Sequence, residues 1–140
     1  MTTDKSENNR NRSLKWGDLG LALILILTIL AGGYLRLVGV DWDEGQHMHP
    51  DERFLSMVWS AISPVESASE YFDTATSSLN PTNRGYSFFV YGTLPIFIVR
   101  YVGEAVGQMG YGPITILGRQ ISAVFDLFTI LLVFFIGKRL

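Results

Sequence analysis

The stretch Leu19–Leu35, LGLALILILTILAGGYL, holds 17 residues without a charge and limits what this chain can fold into more than any other feature. Continued through Arg36 to Val40 it reaches 22 residues, about 33 Å of α-helix at about 1.5 Å per residue. That is enough to cross a hydrocarbon layer about 30 Å thick. A helix apolar on every side over this length has no polar face to offer water, which sets it apart from the amphipathic helices of a soluble domain. Arg36 stands near one end, where its long stem can carry the charge up to the lipid headgroups. A second run, Ile114–Ile136, is also of spanning length but carries Arg119 and Asp126. Charges at that depth are expected to face protein rather than lipid. Between the two runs, Gly85–Val99 is shorter and is interrupted by Gly92 and Pro95. It fits an interfacial segment better than a third span.

Composition points the same way. Hydrophobic residues make up 48% and charged residues 17%, with a mean hydropathy of +0.25, against about 25% charged in ordinary globular chains. The net charge of −2 provides no basic footprint, so nucleic acid is not an expected partner. With no cysteine there is no disulfide framework, no thiolate nucleophile and no cysteine-ligated zinc. The expected fold class is an all-α integral membrane protein, with two transmembrane helices joined by a long extracytoplasmic loop that carries short amphipathic helices. Residues 1–16 read as a disordered cytoplasmic tail, 17–40 as the first transmembrane helix, 41–113 as the loop, 114–137 as the second transmembrane helix and 138–140 as a cytoplasmic end. Orientation follows from the basic residues. Lys5, Arg10, Arg12 and Lys15 precede the first span, Lys138 and Arg139 follow the second, and only Arg53, Arg84 and Arg100 lie between. By the positive-inside rule both termini are cytoplasmic and the loop lies outside a cell membrane. Two spans with intramembrane charge, ending just after the second, suggest the N-terminal fragment of a larger multi-span protein whose remaining transmembrane helices are partners.

The polar residues concentrate in Asp41–Arg53, DWDEGQHMHPDER. Carboxylates and imidazoles in such density make a divalent metal ion a possible ligand, through His47, His49, Asp43 and Asp51. A lone His-x-His and the absence of EF-hand spacing leave no metal ligand assigned, and a solvated juxtamembrane loop explains the composition equally well. Pro50 suits the first position of a helix, with Asp51 and Glu52 in its first turn at the positive dipole end. Phe54, Val58, Ala61 and Ile62 then follow helical spacing. A carboxylate fixed there is a candidate general base toward a hydroxyl, although acids are common at helix starts for purely structural reasons. Ser63–Asn83 is rich in Ser, Thr, Asn and Pro and reads as a loop. Arg84, beside the apolar Tyr86–Tyr91, is suited to a phosphate or to lipid headgroups in general.

Three segments in this order resemble the start of the GT-C glycosyltransferases that use polyprenyl-phosphate sugars, in particular the bacterial protein O-mannosyltransferase-like and aminoarabinose transferase-like enzymes. They are HPDERF (His49–Phe54), LNPTNRGYSFFVYGTLPIFIVRY (Leu79–Tyr101) and GRQISAVFDLFTILLVFFIGKRL (Gly118–Leu140). Together they span most of the chain after Asp41. The resemblance implies a larger multi-span GT-C fold and an inverting transfer from a polyprenyl-phosphate sugar donor to a hydroxyl acceptor on a protein, lipid or glycan. It implies that Asp51, with Glu52 beside it, is the catalytic pair, with Asp43–Glu44 as a competing pair. Substrate-binding residues by the same resemblance are Arg84 and Arg53 toward the lipid phosphate, with His49 and Asp43 nearby. Where relatives often carry Lys-Pro-Pro or His-Pro-Pro, this chain has Tyr91-Gly92-Thr93-Leu94-Pro95. The alternative is a small two-span membrane protein with an exposed binding loop and no enzymatic activity.

Overall fold

The computed structural model describes the backbone from Asp4 and the side chains from Trp16 to Leu140, so the disordered tail expected over residues 1–16 lies outside the fully described residues. Five α-helices follow in order: α1 (Asp4–Leu37), α2 (Pro50–Ala61), α3 (Ala68–Phe72), α4 (Thr93–Val106) and α5 (Tyr111–Arg139), with a 3₁₀ turn at Pro81–Arg84 between α3 and α4. Among the described residues there is no strand. Two segments are long and apolar enough to cross a membrane, Trp16–Leu37 and Tyr111–Arg139. These are the two runs expected from sequence. The first helix ends at Leu37 rather than Val40, and the second begins three residues before Ile114. The chain divides into two compact units, Met1–Val38 with Ala123–Leu140, and Gly39–Ser122.

In the first unit, α1 and the later part of α5 lie side by side. Leu127 and Ile130 seat against Gly32 and Gly33, where a Cβ on Gly32 would meet both side chains at 3.4 Å. Small residues at a helix crossing allow this close approach. Arg36, in the last turn of α1, finds partners in the protein. Its Nε pairs with the carboxylate of Asp126, and its Nη1 donates to the carbonyl of Gly32 at 3.3 Å. At the opposite end Lys138 Nζ faces Asp18 Oδ1 at 3.4 Å. The charge of Asp126 thus finds its partner on α1. The apolar side chains of both spans remain largely exposed, Leu30 at 63% and Val133 at 64% among them, which is the surface that hydrocarbon would cover.

The second unit has its own apolar core, built from Val58 and Trp59 of α2, Ile62 just after it, Leu79 from the segment before the 3₁₀ turn, Ile96 and Val99 of α4, and Ile114 of α5. The helix expected at Pro50 is α2, with Pro50 at its start and Asp51 and Glu52 in the first turn. Helix α4 starts only after Gly92 and tolerates Pro95 because that residue lies in the first turn, where no intrahelical N–H is required. It runs beyond Arg100 to Val106 and ends at Gly107, whose φ of 70° is the left-handed conformation that glycine adopts without a steric penalty. Its buried residues Ile96, Val99 and Gly103 follow helical spacing, and Leu94 and Tyr101 face out. The Ser63–Asn83 stretch, read from sequence as a loop, contains α3 and is tied by its own polar groups. Ser63 N donates to Ser78 O at 3.1 Å, and the carboxylate of Glu70 accepts from the N–H groups of Glu66 and Ser78 at 2.8 and 3.1 Å.

One of the contacts between α2 and α5 is especially close. A Cβ added at Gly118 would come within 2.6 Å of Trp59 Cη2, a ring that is 6% exposed. Overpacking a filled core typically costs about 1–3 kcal/mol. Gly118→Ala should therefore lower the thermal unfolding midpoint, and Trp59→Phe in the same chain should recover part of the loss by shortening the ring. Differential scanning calorimetry of the three variants checks this; additive losses would disprove direct contact.

Candidate functional site

The sequence cluster Asp41–Arg53 is organised by a residue that the sequence reading did not place in the site. Arg119, on α5, directs Nε and Nη2 to the two carboxylate oxygens of Glu52 at 2.6 and 2.7 Å. Its Nη2 also lies 2.9 Å from Asp43 Oδ2, and Nη1 donates to the carbonyl of Val40 at 2.7 Å. The ring of Trp42 stands 5.3 Å from the guanidinium carbon. A planar guanidinium offers five donors in a fixed fork, which suits two carboxylates and a carbonyl at once as no ammonium could. The signal in the sequence was the position of Arg119 inside an apolar run, which required a protein partner but did not say which.

Asp43 is 4% exposed. Its carboxyl is held below the usual range, first by the hydrogen bond to Arg119, which outweighs burial acting in the other direction, and further by the N–H of Met48. Around it the backbone is strained. Glu44 and His47 have φ values of 50° and 51°, a left-handed conformation unusual for residues with a Cβ. Such geometry persists where neighbouring contacts over-determine it. Here Gly45 N donates to Asp41 Oδ1 at 3.1 Å and Met48 N to Asp43 Oδ2 at 3.3 Å. The ring of His47 lies 4.2 Å from that of Tyr111, with Nδ1 at 3.4 Å from Thr115 Oγ1. Thr115 in turn shares a buried 2.6 Å contact with the hydroxyl of Ser56 on α2.

The remaining candidates lie on the outside of this frame. Asp51 is exposed, and among the described residues it forms no ion pair. It stands near Tyr91, whose phenol is raised above its ordinary value first by burial and then by the Asp51 carboxylate. Tyr91 belongs to an aromatic group with Phe54, Tyr86 and Phe89, ring centroids 5.6 to 6.3 Å apart. His49 is the residue that opens α2 and is exposed, with no side-chain cap bond. Arg53 donates Nε to the carbonyl of His47 at 3.3 Å, and Arg84 donates Nε to the carbonyl of Ser78 at 3.4 Å. Arg53 and Arg84 are both exposed. The structure thus brings Asp43 and Glu52 together on Arg119 and leaves Asp51, His49, Arg53 and Arg84 at the surface. Among the described residues no three His, Asp or Glu side chains are grouped so as to hold an ion. Asp43 is turned to Arg119, and His47 is packed against Tyr111. Comparison of the chain with protein-family models, with curated proteins and with solved structures yields no match.

The lowered carboxyls set the acid limb of stability. Glu70 is likewise held below its ordinary value, first by the N–H of Glu66 and then by Ser78. A carboxyl with a lower pKa folded than unfolded contributes its stability above the unfolded value, about 4, and loses it as pH falls through the folded value. Thermal midpoints measured from about pH 6 down to about pH 2 should fall more steeply for the native chain than for Asp43→Asn or Glu70→Gln. Parallel acid limbs would show that neither carboxylate is held as described.

Proposed function

We propose that this chain is part of an inverting membrane glycosyltransferase that moves a sugar from a polyprenyl-phosphate donor to a hydroxyl acceptor outside the cytoplasm. The observation that carries the reading is the division of labour at the head of α2. Glu52 and Asp43 are both paired with Arg119, whereas Asp51, one residue from the clamp, stays exposed and free of a cationic partner among the described residues. A carboxylate on a turn fixed in this way can be aimed at one hydroxyl, and a misplacement of about 1 Å costs on the order of 10²-fold in rate.

In the proposed reaction Asp51 accepts the proton of the acceptor hydroxyl as its oxygen bonds to the anomeric carbon. The bond from that carbon to the phosphate oxygen breaks, and the lipid phosphate departs with the electron pair. Arg53 and Arg84 use only Nε in the contacts described above, so their terminal nitrogens are available to the phosphate. Tyr91, whose proton is retained by burial and by Asp51, orients the carboxylate. The residues that the resemblance assigned as a catalytic pair thus separate into Asp51 as the base and Glu52 as its anchor. In the same proposal residues 41–113 lie outside the cell membrane with both termini inside. The exposed Phe88, Val90 and Leu94, each at least 66% exposed, rest at the outer lipid interface, a depth that suits aromatic and aliphatic side chains. Further transmembrane helices, as in the family the chain resembles, would enclose the donor.

Transfer of radiolabelled sugar from polyprenyl-phosphate donors, assayed in membranes containing the complete enzyme of which this chain is proposed to be part, tests the reading. Asp51→Asn should reduce transfer by about 10²- to 10⁴-fold, the usual worth of general-base action, with an unchanged thermal midpoint. Glu52→Gln should lower activity and thermal midpoint together. Normal transfer by Asp51→Asn would remove it as the base, and the lack of transfer from every such donor would remove the glycosyltransferase reading.

A further inference from the structure

A cleft of about 350 Å³ opens between α3 and the start of α4, within the size range of small-molecule sites. Carbon makes up most of its walls, through the rings of Tyr71, Phe72 and Phe97 and the side chains of Leu79 and Pro81. Tyr71 meets Phe72 edge-on at 5.2 Å and Phe97 edge-on at 6.3 Å. Leu79, 1% exposed, belongs to the core of the second unit, so the cleft opens onto that core. At its rim Phe72 is 79% exposed, and Leu94, next to the lining residue Thr93, is 66% exposed. Large apolar side chains left open around a cleft mark a surface that another apolar body covers.

The cleft has little to offer a polar ligand. Asn80, on its wall, donates Nδ2 to the carbonyl of Thr74 at 2.7 Å and accepts at Oδ1 from the N–H of Thr82 at 3.1 Å. The carbonyl of Ser77 accepts from Asn83 Nδ2 at 3.0 Å. Among the described residues the buried side-chain atoms without a partner are Trp59 Nε1 and Arg100 Nε, and neither residue lines the cleft. No charged side chain among the described residues lines it either. A polar or ionic ligand would lose its hydration here and find no buried group waiting for it. An apolar ligand gains simply by leaving water.

The way this unit is tethered selects among apolar ligands. It spans Gly39–Ser122, and the chain on either side, ending at Val38 and resuming at Ala123, belongs to the unit of the two membrane-length segments. Helix α5 runs unbroken from one unit into the other. A unit joined without a spacer to a span at each end stays at the bilayer surface, where acyl chains are the most abundant apolar species. We infer that this cleft takes one acyl chain of a bilayer phospholipid. The headgroup stays among the other lipids and needs no counter-charge in the cleft, in keeping with its uncharged lining. This phospholipid is a resident of the fold, distinct from the donor of the proposed transfer reaction. The inference rests on the two spans crossing a bilayer and not on that reaction.

Photo-cross-linking of the full chain in phosphatidylcholine nanodiscs tests this. The probe is a phosphatidylcholine with a diazirine on one acyl chain, and no polyprenyl lipid is present. Peptide mass spectrometry should find adducts on residues 71–81 and 93–97 as well as on the spans. Thr93→Trp, at an exposed position, fills the mouth of the cleft. It should lower adducts in those two segments by about tenfold or more, since each methylene displaced is worth about fourfold in affinity, and leave those on the spans unchanged. Phe72→Ser should lower them between about twofold and tenfold, the range of one aromatic contact. Circular dichroism establishes that each variant is folded, and Phe72→Ser, at a surface position, keeps the test decisive if Thr93→Trp is not. Absence of adducts from both segments overturns the inference, as does an equal yield in the native chain and Phe72→Ser. An equal yield from a phosphatidylcholine labelled on its headgroup overturns it too, because surface contact alone would then explain the adducts. Loss of the adducts when each nanodisc holds two chains instead of one would assign the cleft to a second copy and likewise overturn it.

Discussion

Arg119 makes more of the second unit's polar contacts than any other side chain, and the arrangement of the Asp41–Arg53 segment depends on it. One guanidinium spans Val40, Asp43 and Glu52, residues that belong to a turn, a strained loop and a helix start. It carries one positive charge against two carboxylates, so each carboxylate needs further support. Asp43 has the N–H of Met48. Glu52 sits in the first turn of α2, where the helix dipole favours an anion. Taking the guanidinium away would leave two nearby anions, one of them almost wholly buried, with no cation between them. Breaking an ion pair of this kind by removing one partner is strongly destabilising, because the remaining charge is stranded.

The consequence for chemistry lies in which carboxylate is left over. Adjacent residues at a helix start point about 100° apart around the axis, so Arg119 can take Glu52 without taking Asp51. The buried Ser56–Thr115 contact and the Trp59–Gly118 packing hold the same helix against α5 further along. Asp51 is thus carried on a helix fixed at several points, while its own side chain remains free to act.

The elements that were legible in the sequence are those whose signal is local. Length and hydropathy marked both spans, and Pro50 followed by two acids and a helical apolar pattern marked α2. Helix α3 was hidden because its five residues are too few for periodicity to register, and it depends on Glu70 reaching the N–H groups of Glu66 and Ser78. The site was legible as a cluster and not as an arrangement. Pro50 marks Asp51 as a helix-start residue in DWDEGQHMHPDER, but the burial and pairing of Asp43 come from Arg119, 67 residues beyond Glu52. Arg36 shows the same limit. Its place near the end of a span suggests headgroups, and the carboxylate it pairs with, Asp126, is 90 residues away. Long-range charge pairing leaves no periodic trace, whereas burial of a helix face does.

Hydrogen–deuterium exchange on native chain and Arg119→Gln, compared peptide by peptide in nanodiscs at neutral pH, tests the central role of the Arg119 clamp most directly. The account predicts that residues 40–56 lose protection in the variant while α4, which packs through Ile96 and Val99, keeps most of its own. Unchanged protection over residues 40–56 in Arg119→Gln would contradict it.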